Sequence, residues 1–547
     1  MASSDVTAGA ASAGSGRLFI RQTSGLVREL GIPAATGISL ASVAVFNTFI
    51  NFNAGLTLFP AADMYLPLLA AAFIWLVAML AYRHLLRAVP RAGGEYVYLS
   101  RIVSPATGSI LGLGIAVVFT YILSTNAHFA AIFTPFMLSG LGSAFHSTAL
   151  TNAASTVTSN GWIFVISLIV MAVVTALSLS SVKIVARIIF WLIAFQVVAF
   201  VVLFIVLAGT SKAQFAATLA SFSHHPGAYQ AILAGGKVGG VTFGTSIASA
   251  VAIIPFMVLN YNGVLYSYYV GGELRRPGRT YLYASAISIG VLVVLWVGVW
   301  AMLRAHIGLP FMQAQANLGA SNSAGYAKIT SLSSAAGGLG YGMILTTSPI
   351  IKVMLAVAVP LTEIAVNLAF VTVTTRVLFA QAFDRLLPVR VAKVGERNHA
   401  PNVAIAIVLI VGAAFCWITS YVATLGNIVA LQSLFFALIL VAGGLAATFL
   451  PIRRKELLDR AGMSDADQTR FLRGVTAVGL ATTVLGLFTT AEIVGHPSAY
   501  GHFSWESTLT LVIVLGAGPV IYLIARAIRR QRDSIDLALA MHELPPE

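Results

Sequence analysis

Apolar runs of about 20 residues, each long enough to cross the hydrocarbon core of a bilayer, recur twelve times along this chain and leave little room for any other architecture. They cover residues 34–59, 65–87, 106–138, 162–181, 187–209, 241–270, 281–303, 349–376, 402–424, 426–450, 474–494 and 505–527. Only 9% of the 547 residues are charged, where a soluble domain carries roughly 25%. The fold class is therefore all-α and integral to a membrane, with 12 transmembrane helices. In hydrocarbon every backbone amide and carbonyl must be satisfied within the protein, which leaves helices as the economical solution for runs of this length.

Charge placement orients the helices. If the amino terminus lies inside, all but five of the 32 lysines and arginines fall on the cytoplasmic side. The five are Lys212, Lys237, Arg304, Lys328 and Lys352. Cytoplasmic loops retain such residues during insertion, so both termini are expected in the cytoplasm and the protein in the cytoplasmic (plasma) membrane. The net charge of +14 then reflects topology and contact with anionic membrane lipids, and no nucleic-acid partner is expected. Residues 1–16 are mostly Ala, Ser and Gly without a basic side chain, which reads as a disordered tail and not as a secretory signal. Residues 17–530 form a single transmembrane domain and 531–547 a cytoplasmic tail with a short solvated helix. The long outside connections 210–240 and 304–348 read either as gates or as loose surface loops. Cys416 sits among apolar neighbours and is assigned to packing.

Two of the runs are interrupted in a similar way. Asn51-Phe52-Asn53-Ala54-Gly55 and Asn260-Tyr261-Asn262-Gly263 combine poor helix formers with polar amides, and Pro255 removes an amide donor just before the second. Interrupted spans in corresponding positions of two halves point to a binding site, so Asn47, Thr48, Asn51, Asn53, Gly55, Pro255, Asn260, Tyr261, Asn262 and Gly263 are candidate substrate contacts. Tyr121, Ser124 and Asn126 in the third run add polar groups; Tyr121, Ser124 and His128 share one helix face. Hydrogen bonding between helices is the competing role for these. Glu363 is the only acid in the interior of a run, with Asn367 one turn on. A buried carboxylate is expensive in a membrane, which makes it a candidate proton carrier or counter-charge, against a structural role near the outer headgroups after a turn ending at Pro360. Thr372, Thr374 and Thr375 bond more readily to their own backbone than to a cation. There is no metal-ligand spacing, phosphate loop or paired carboxylate, so no cofactor is expected and enzyme chemistry lacks its reagents.

Three segments carry a family resemblance. Val89-Pro90-Arg91-Ala92-Gly93-Gly94-Glu95-Tyr96-Val97-Tyr98-Leu99-Ser100-Arg101, Gly272-Glu273-Leu274-Arg275-Arg276-Pro277-Gly278-Arg279, and Thr375-Arg376 through Asp384-Arg385-Leu386-Leu387-Pro388 resemble, in order, the cytoplasmic ends of helices 2, 6 and 8 in the amino acid-polyamine-organocation (APC) permeases. Ser181-Val182-Lys183 with Ala186-Arg187 is a weaker fourth match. The resemblance implies a permease domain with a five-plus-five inverted repeat, about 34–209 and 241–450, in the LeuT-like arrangement. Helices 1 and 6 would be broken around a midplane site, helices 11 and 12 (about 474–527) added, and Gly263 would match the family's glycine in helix 6. Two departures accompany it. The Gly-rich run that usually breaks helix 1 and binds the substrate carboxylate is replaced by the stretch from Ser42 to Asn51. Gln196 stands where many members carry a lysine in helix 5. The implied function is a secondary transporter for a small amino acid, with a proton or cation as co-transported partner. The isolation of Glu363 makes it the expected proton carrier with Asn367 on its face, whereas Gln196 cannot titrate and would contribute to coupling only as a hydrogen-bonding amide. An organic amine or polyamine carrier and a non-transporting amino-acid sensor are the alternatives.

Overall fold

The computed structural model describes residues 28–542 except 335–336, 396–399, 423–424, 460–464, 501–504 and 534–535. The tail expected over residues 1–16 lies outside the described residues. The principal helices are α1 (Ile32–Ala41), α2 (Thr48–Leu58), α3 (Tyr65–Ala88), α4 (Glu95–Ile102), α5 (Pro105–Ile132), α6 (Asn160–Ser178), α7 (Val182–Ala208), α8 (Ile254–Asn260), α9 (Pro277–His306), α10 (Pro349–Phe383), α11 (Asn402–Tyr421), α12 (Leu425–Arg453), α13 (Asp465–Gly495) and α14 (Trp505–Asp533). Eleven helical spans among the described residues, α1 and α2 counting as one, are long and apolar enough to cross a membrane. The protein is an all-helical integral membrane protein. The run expected over 241–270 is instead a short, divided helix: Ile247–Ala252, a kink at Ile253, then α8 with Pro255 in its first turn.

The second interruption lies where Asn and Gly place it: α8 stops at Asn260, and Gly263 takes φ +90°. The first does not. Asn51, Phe52, Asn53, Ala54 and Gly55 all lie inside the continuous helix α2, and the break falls earlier, between α1 and a 3-10 turn at Val45–Asn47. There Ala44 adopts a left-handed conformation, φ 54°, which costs an alanine what a glycine would not lose. Gly55 has a packing role, since a Cβ on it would come within 2.7 Å of Ile253 and 3.0 Å of Met64.

At the centre stands α10, buried continuously from Ala365 to Ala382 and packed against α5, α7 and α1. Pro360 sits within this helix and ends no turn. Beneath the two breaks the basic end of the bundle is closed. Arg101 meets Asp384 at 2.6 Å with both side chains at most 2% exposed. Tyr96 donates to Asp384 at 2.9 Å, and Arg376 makes a two-pronged contact with Glu273 at 2.8 and 3.1 Å. The main chain joins in: Leu30 N donates to Glu273 O, Arg275 N to Leu30 O, and Gly93 N to Tyr269 O. Gly94, at φ +58°, lies so close to Tyr269 that a Cβ would stand 2.2 Å from its ring. That approach carries Glu95 inward to accept hydrogen bonds from Tyr82, at 2.7 Å, and Tyr268.

The outside connections differ from loose loops. They fold into helices Lys212–Phe222, Ala228–Val238, Leu309–Ser321, Ser323–Ile329 and Gly337–Leu345, held by aromatic contacts such as the Tyr229–Phe311 stack at 4.6 Å and Phe215 edge-on to Tyr341 at 5.2 Å. The carboxy-terminal helix Leu537–His542 is present, but Leu537 and Met541 are buried, so it is not a solvated appendage.

Burial holds the Glu95 carboxyl above the ordinary carboxylate range, while the hydrogen bonds from Tyr268 and Tyr82 pull the other way. The folded protein therefore keeps a proton that the unfolded chain gives up. Stability from this group is full below the ordinary value, about pH 4, and declines as pH rises towards the raised one. Melting temperature in detergent should fall over that interval, and Glu95→Gln should flatten the fall. An identical slope in the variant would place the titration elsewhere.

Candidate functional site

The two breaks touch. A Cβ on Gly263 would lie 2.5 Å from Ser42 Cβ and 2.6 Å from Ser42 O, so only a residue without a side chain allows the interrupted segments to meet. Asn51 donates to Asn260 at 2.6 Å, and Asn260 donates to Thr48 at 3.3 Å. These bonds tie α2 to the end of α8. Beside them lies a cavity of about 70 Å³ bordered by Ser42–Ala44, Asn47, Ile50, Asn51 and Ala54 of the first broken helix, and by Phe256, Leu259, Asn260 and Asn262 of the second. Ile122, Asn126 and Phe129 of α5, Val366 and Phe370 of α10, and Gln432 of α12 complete the wall.

None of these lining residues is charged. The wall instead carries neutral amides, several with buried atoms that have no hydrogen-bond partner among the described residues: Asn47 Oδ1, Asn126 Nδ2, Asn262 Oδ1 and Gln432 Nε2. A buried polar atom left unpaired costs about 1–3 kcal/mol, so such a concentration suits a polar occupant, water included. The carboxy-terminal end of α1 and the amino-terminal end of α2 open on the same space and bring partial negative and positive charge to it. Asn262 is oriented by its own donation to Leu259 O at 2.5 Å.

Behind this wall lies a second polar layer. Both Glu363 oxygens, both amide atoms of Asn367 and both of Gln196 are buried without a hydrogen-bond partner among the described residues. Asn47 is the side chain that faces Glu363, although no hydrogen bond of acceptable geometry closes between them. Gln196 lies one turn before Phe200, which packs on Phe46 at 4.4 Å beside the first break.

Other expected contacts lie elsewhere. Tyr121 packs edge-on to Phe415 of α11 at 5.6 Å, and Ser124 donates to Tyr121 O at 2.7 Å; of that cluster Asn126 alone borders the cavity. Asn53 faces a smaller crevice beside Trp300 and Tyr341, Tyr261 stands edge-on to Trp296 at 4.6 Å, and Thr48, Gly55, Pro255 and Gly263 shape the breaks without lining the cavity. Thr372, Thr374 and Thr375 each return their hydroxyl to their own helix. Sequence reasoning passed over Ser42, Ile122, Phe129, Phe256, Phe370 and Gln432. Gln432, an amide inside an apolar run, was the one with a visible signal.

The surroundings are unequal. Towards the basic end, Phe370 packs with Phe119 and Tyr266 at 5.3 and 5.7 Å, an aromatic floor above the Glu95 cluster and the two ion pairs. Towards the other end, the central cavity reaches Phe129 on α5, and a larger one of about 480 Å³ begins at Ile132, bounded by Phe136, Leu332, Met343 and Lys352.

A sequence model of the amino acid permease family matches residues 35–527. The chain belongs to that family. Amino acid permeases are transporters and not enzymes, and the many apolar helices and the uncharged cavity between broken helices suit an amino acid transporter in a membrane. No protein with a curated description matches the chain.

Gly263 supplies a direct check on the geometry. Gly263→Ala meets both an unfavourable φ and Ser42, and should lower the melting temperature by a loss of roughly 1–3 kcal/mol. Gly240→Ala, also at positive φ (+85°) but with nothing within 4 Å, should lower it less. Equal effects would mean that contact between the breaks contributes nothing.

Proposed function

We propose that this permease is a secondary active transporter that moves a small amino acid across the cytoplasmic membrane by alternating access, driven by protons. The observation that carries the reading is the set of unpaired amides in an uncharged cavity where two broken helices meet. A zwitterion needs donors for its carboxylate and acceptors for its ammonium, and neutral amides with two opposed helix ends offer both without imposing net charge. The cavity's small volume favours a small side chain on the substrate, and Ile122, Ile50 and Phe256 would surround it.

Alternating access draws support from the asymmetry of closure. The basic end, which charge placement makes cytoplasmic together with both termini, carries three layers of closure, whereas the larger cavity begins one turn of α5 beyond the site, at Ile132. This is the arrangement of a carrier whose site faces outward or is newly occluded. The inner layers must part in the other half of the cycle. The two halves, about 34–209 and 241–450 with α13 and α14 appended, would rock against each other as an inverted repeat, with the outer helices as the outside gate.

Glu363 is the proton carrier in this scheme. Its carboxyl is fully buried and unpaired, a state far less costly when protonated than when charged, and Asn47 stands between it and the substrate. Loss of the proton would change the hydrogen-bonding demand on Asn47 and so couple the two occupants; Asn367 and Gln196 supply the surrounding amides. A primary amine or polyamine is the second substrate reading, favoured because no cationic side chain lines the cavity to hold a carboxylate while Glu363 lies close behind.

Purified protein should be stabilised against heat by a small amino acid, and Asn260→Ala should abolish that shift. In proteoliposomes an inward proton gradient should raise uptake several-fold, and Glu363→Gln should still bind substrate but lose the stimulation. Gradient-stimulated uptake unchanged in Glu363→Gln would overturn the proton assignment. Stabilisation only by amines would transfer the reading to the organocation class, and binding without any uptake would make the protein a sensor.

A further inference from the structure

At the basic end, away from the central cavity, α3 finishes beside the start of α9 and the two enclose a pocket of about 460 Å³. Its wall holds four arginines, Arg83 and Arg87 from α3 and Arg276 and Arg279 at the beginning of α9, and no acid. Arg83 Nε is buried without a hydrogen-bond partner, and no ion pair engages Arg83, Arg276 or Arg279 among the described residues. Gly278 is what lets the elements close: a Cβ there would stand 2.6 Å from Arg87 Cγ, so the Arg87 stem lies over the first turn of α9. The amino terminus of that long helix adds partial positive charge. Arg83, Arg276 and Arg279, held this near one another with no acid in the pocket wall, repel unless an anion lies among them, and guanidinium matches phosphate oxygens in pairs.

The helix faces that lead away from the pocket indicate where the anion comes from. Below Arg87 on α3, at helical spacing, Leu80, Leu76, Phe73 and Leu69 point outward. Below Arg279 on α9 come Tyr283, Ile287 and Val294, likewise exposed, and Arg279 rests over the Tyr283 ring at 5.7 Å. These apolar faces belong to spans long enough to cross a bilayer, so they are where acyl chains would lie.

We propose that this pocket is a binding site for the phosphate of an anionic membrane phospholipid, its headgroup among the four arginines and its chains along α3 and α9. The shared chemistry is a phosphate; the apolar faces assign it to a lipid and not to a soluble ion.

The test is lipid retention by the full-length protein in detergent, followed by native mass spectrometry after addition of phosphatidylglycerol, phosphatidylcholine or inorganic phosphate. Phosphatidylglycerol should be retained several-fold more than phosphatidylcholine, and Arg276→Gln/Arg279→Gln should remove that preference. Arg275→Gln, an exposed neighbour outside the pocket, should keep it, and the lipid-free melting temperature of each variant reports whether folding is intact. Should millimolar inorganic phosphate bind as well as the lipid and displace it, the phosphate chemistry would stand and the lipid source would be overturned. Equal retention of both lipids, or an unchanged preference in Arg276→Gln/Arg279→Gln, would overturn the site altogether.

Discussion

A helix interrupted inside hydrocarbon must find partners for the backbone groups it frees, and it can do so only against protein or a polar cavity. The rest of this structure follows from how that requirement is met twice in the same place. The first break, at Ser42–Ala44, and the second, at Asn260–Gly263, lie against each other with no side chain between Gly263 and Ser42. Each closes part of the other's opening. The Asn51–Asn260 and Asn260–Thr48 bonds then fix α2 to α8, and what remains unsatisfied is turned onto one small cavity. Polarity in the middle of an apolar bundle is thereby concentrated where a polar ligand can use it.

The closure of the basic end is a different kind of construction. Arg101–Asp384 and Arg376–Glu273 are buried pairs, and burying two charges costs much of what their attraction returns. Such pairs add little net stability, yet losing one partner while the other stays buried is heavily penalised, by about 3–5 kcal/mol. They therefore hold well when closed and part at modest cost when both partners become hydrated together. That is suited to a seal that opens as a unit. Glu95, reached through the Gly93-Gly94 approach and held by Tyr82 and Tyr268, links α3, α4 and the chain after the second break into the same unit.

Much of this was legible in the sequence, and the reasons differ by element. Hydrophobic length gave the spans because crossing a bilayer fixes it. The Gly263 break was readable because positive φ and close approach admit little but glycine. The local Asn and Gly signal misplaced the first break, which lies within the Ser42–Asn51 stretch that the resemblance aligned with it, and the reason is physical. Asn51 and Gly55 are poor helix formers locally, but tertiary contacts retain them in α2, Asn51 through Asn260 and Gly55 through the nearness of Ile253. Ala44 takes the left-handed conformation with no local signal at all. The connections 210–240 and 304–348 were read either as gates or as loose loops, the second being rich in Gly, Ser and Ala, and what folds them is aromatic packing between distant segments, which no local pattern carries. Among site residues, amides in apolar runs could be found by type. The apolar wall of Ile122, Phe256 and Phe370 could not, since one buried isoleucine or phenylalanine looks like any other.

The central claim is that one cavity between the two broken helices is reached from one membrane face at a time. It is tested most directly by placing a cysteine at Ile122, on the cavity wall, in a Cys416→Ser background, and measuring its modification by an impermeant thiol reagent from each face. The account predicts labelling from the outer face at rest, protection by a bound small amino acid, and labelling from the cytoplasmic face only when the seal is weakened by Asp384→Ala. Labelling from both faces at once in the unmodified seal, or labelling that no ligand alters, would contradict it.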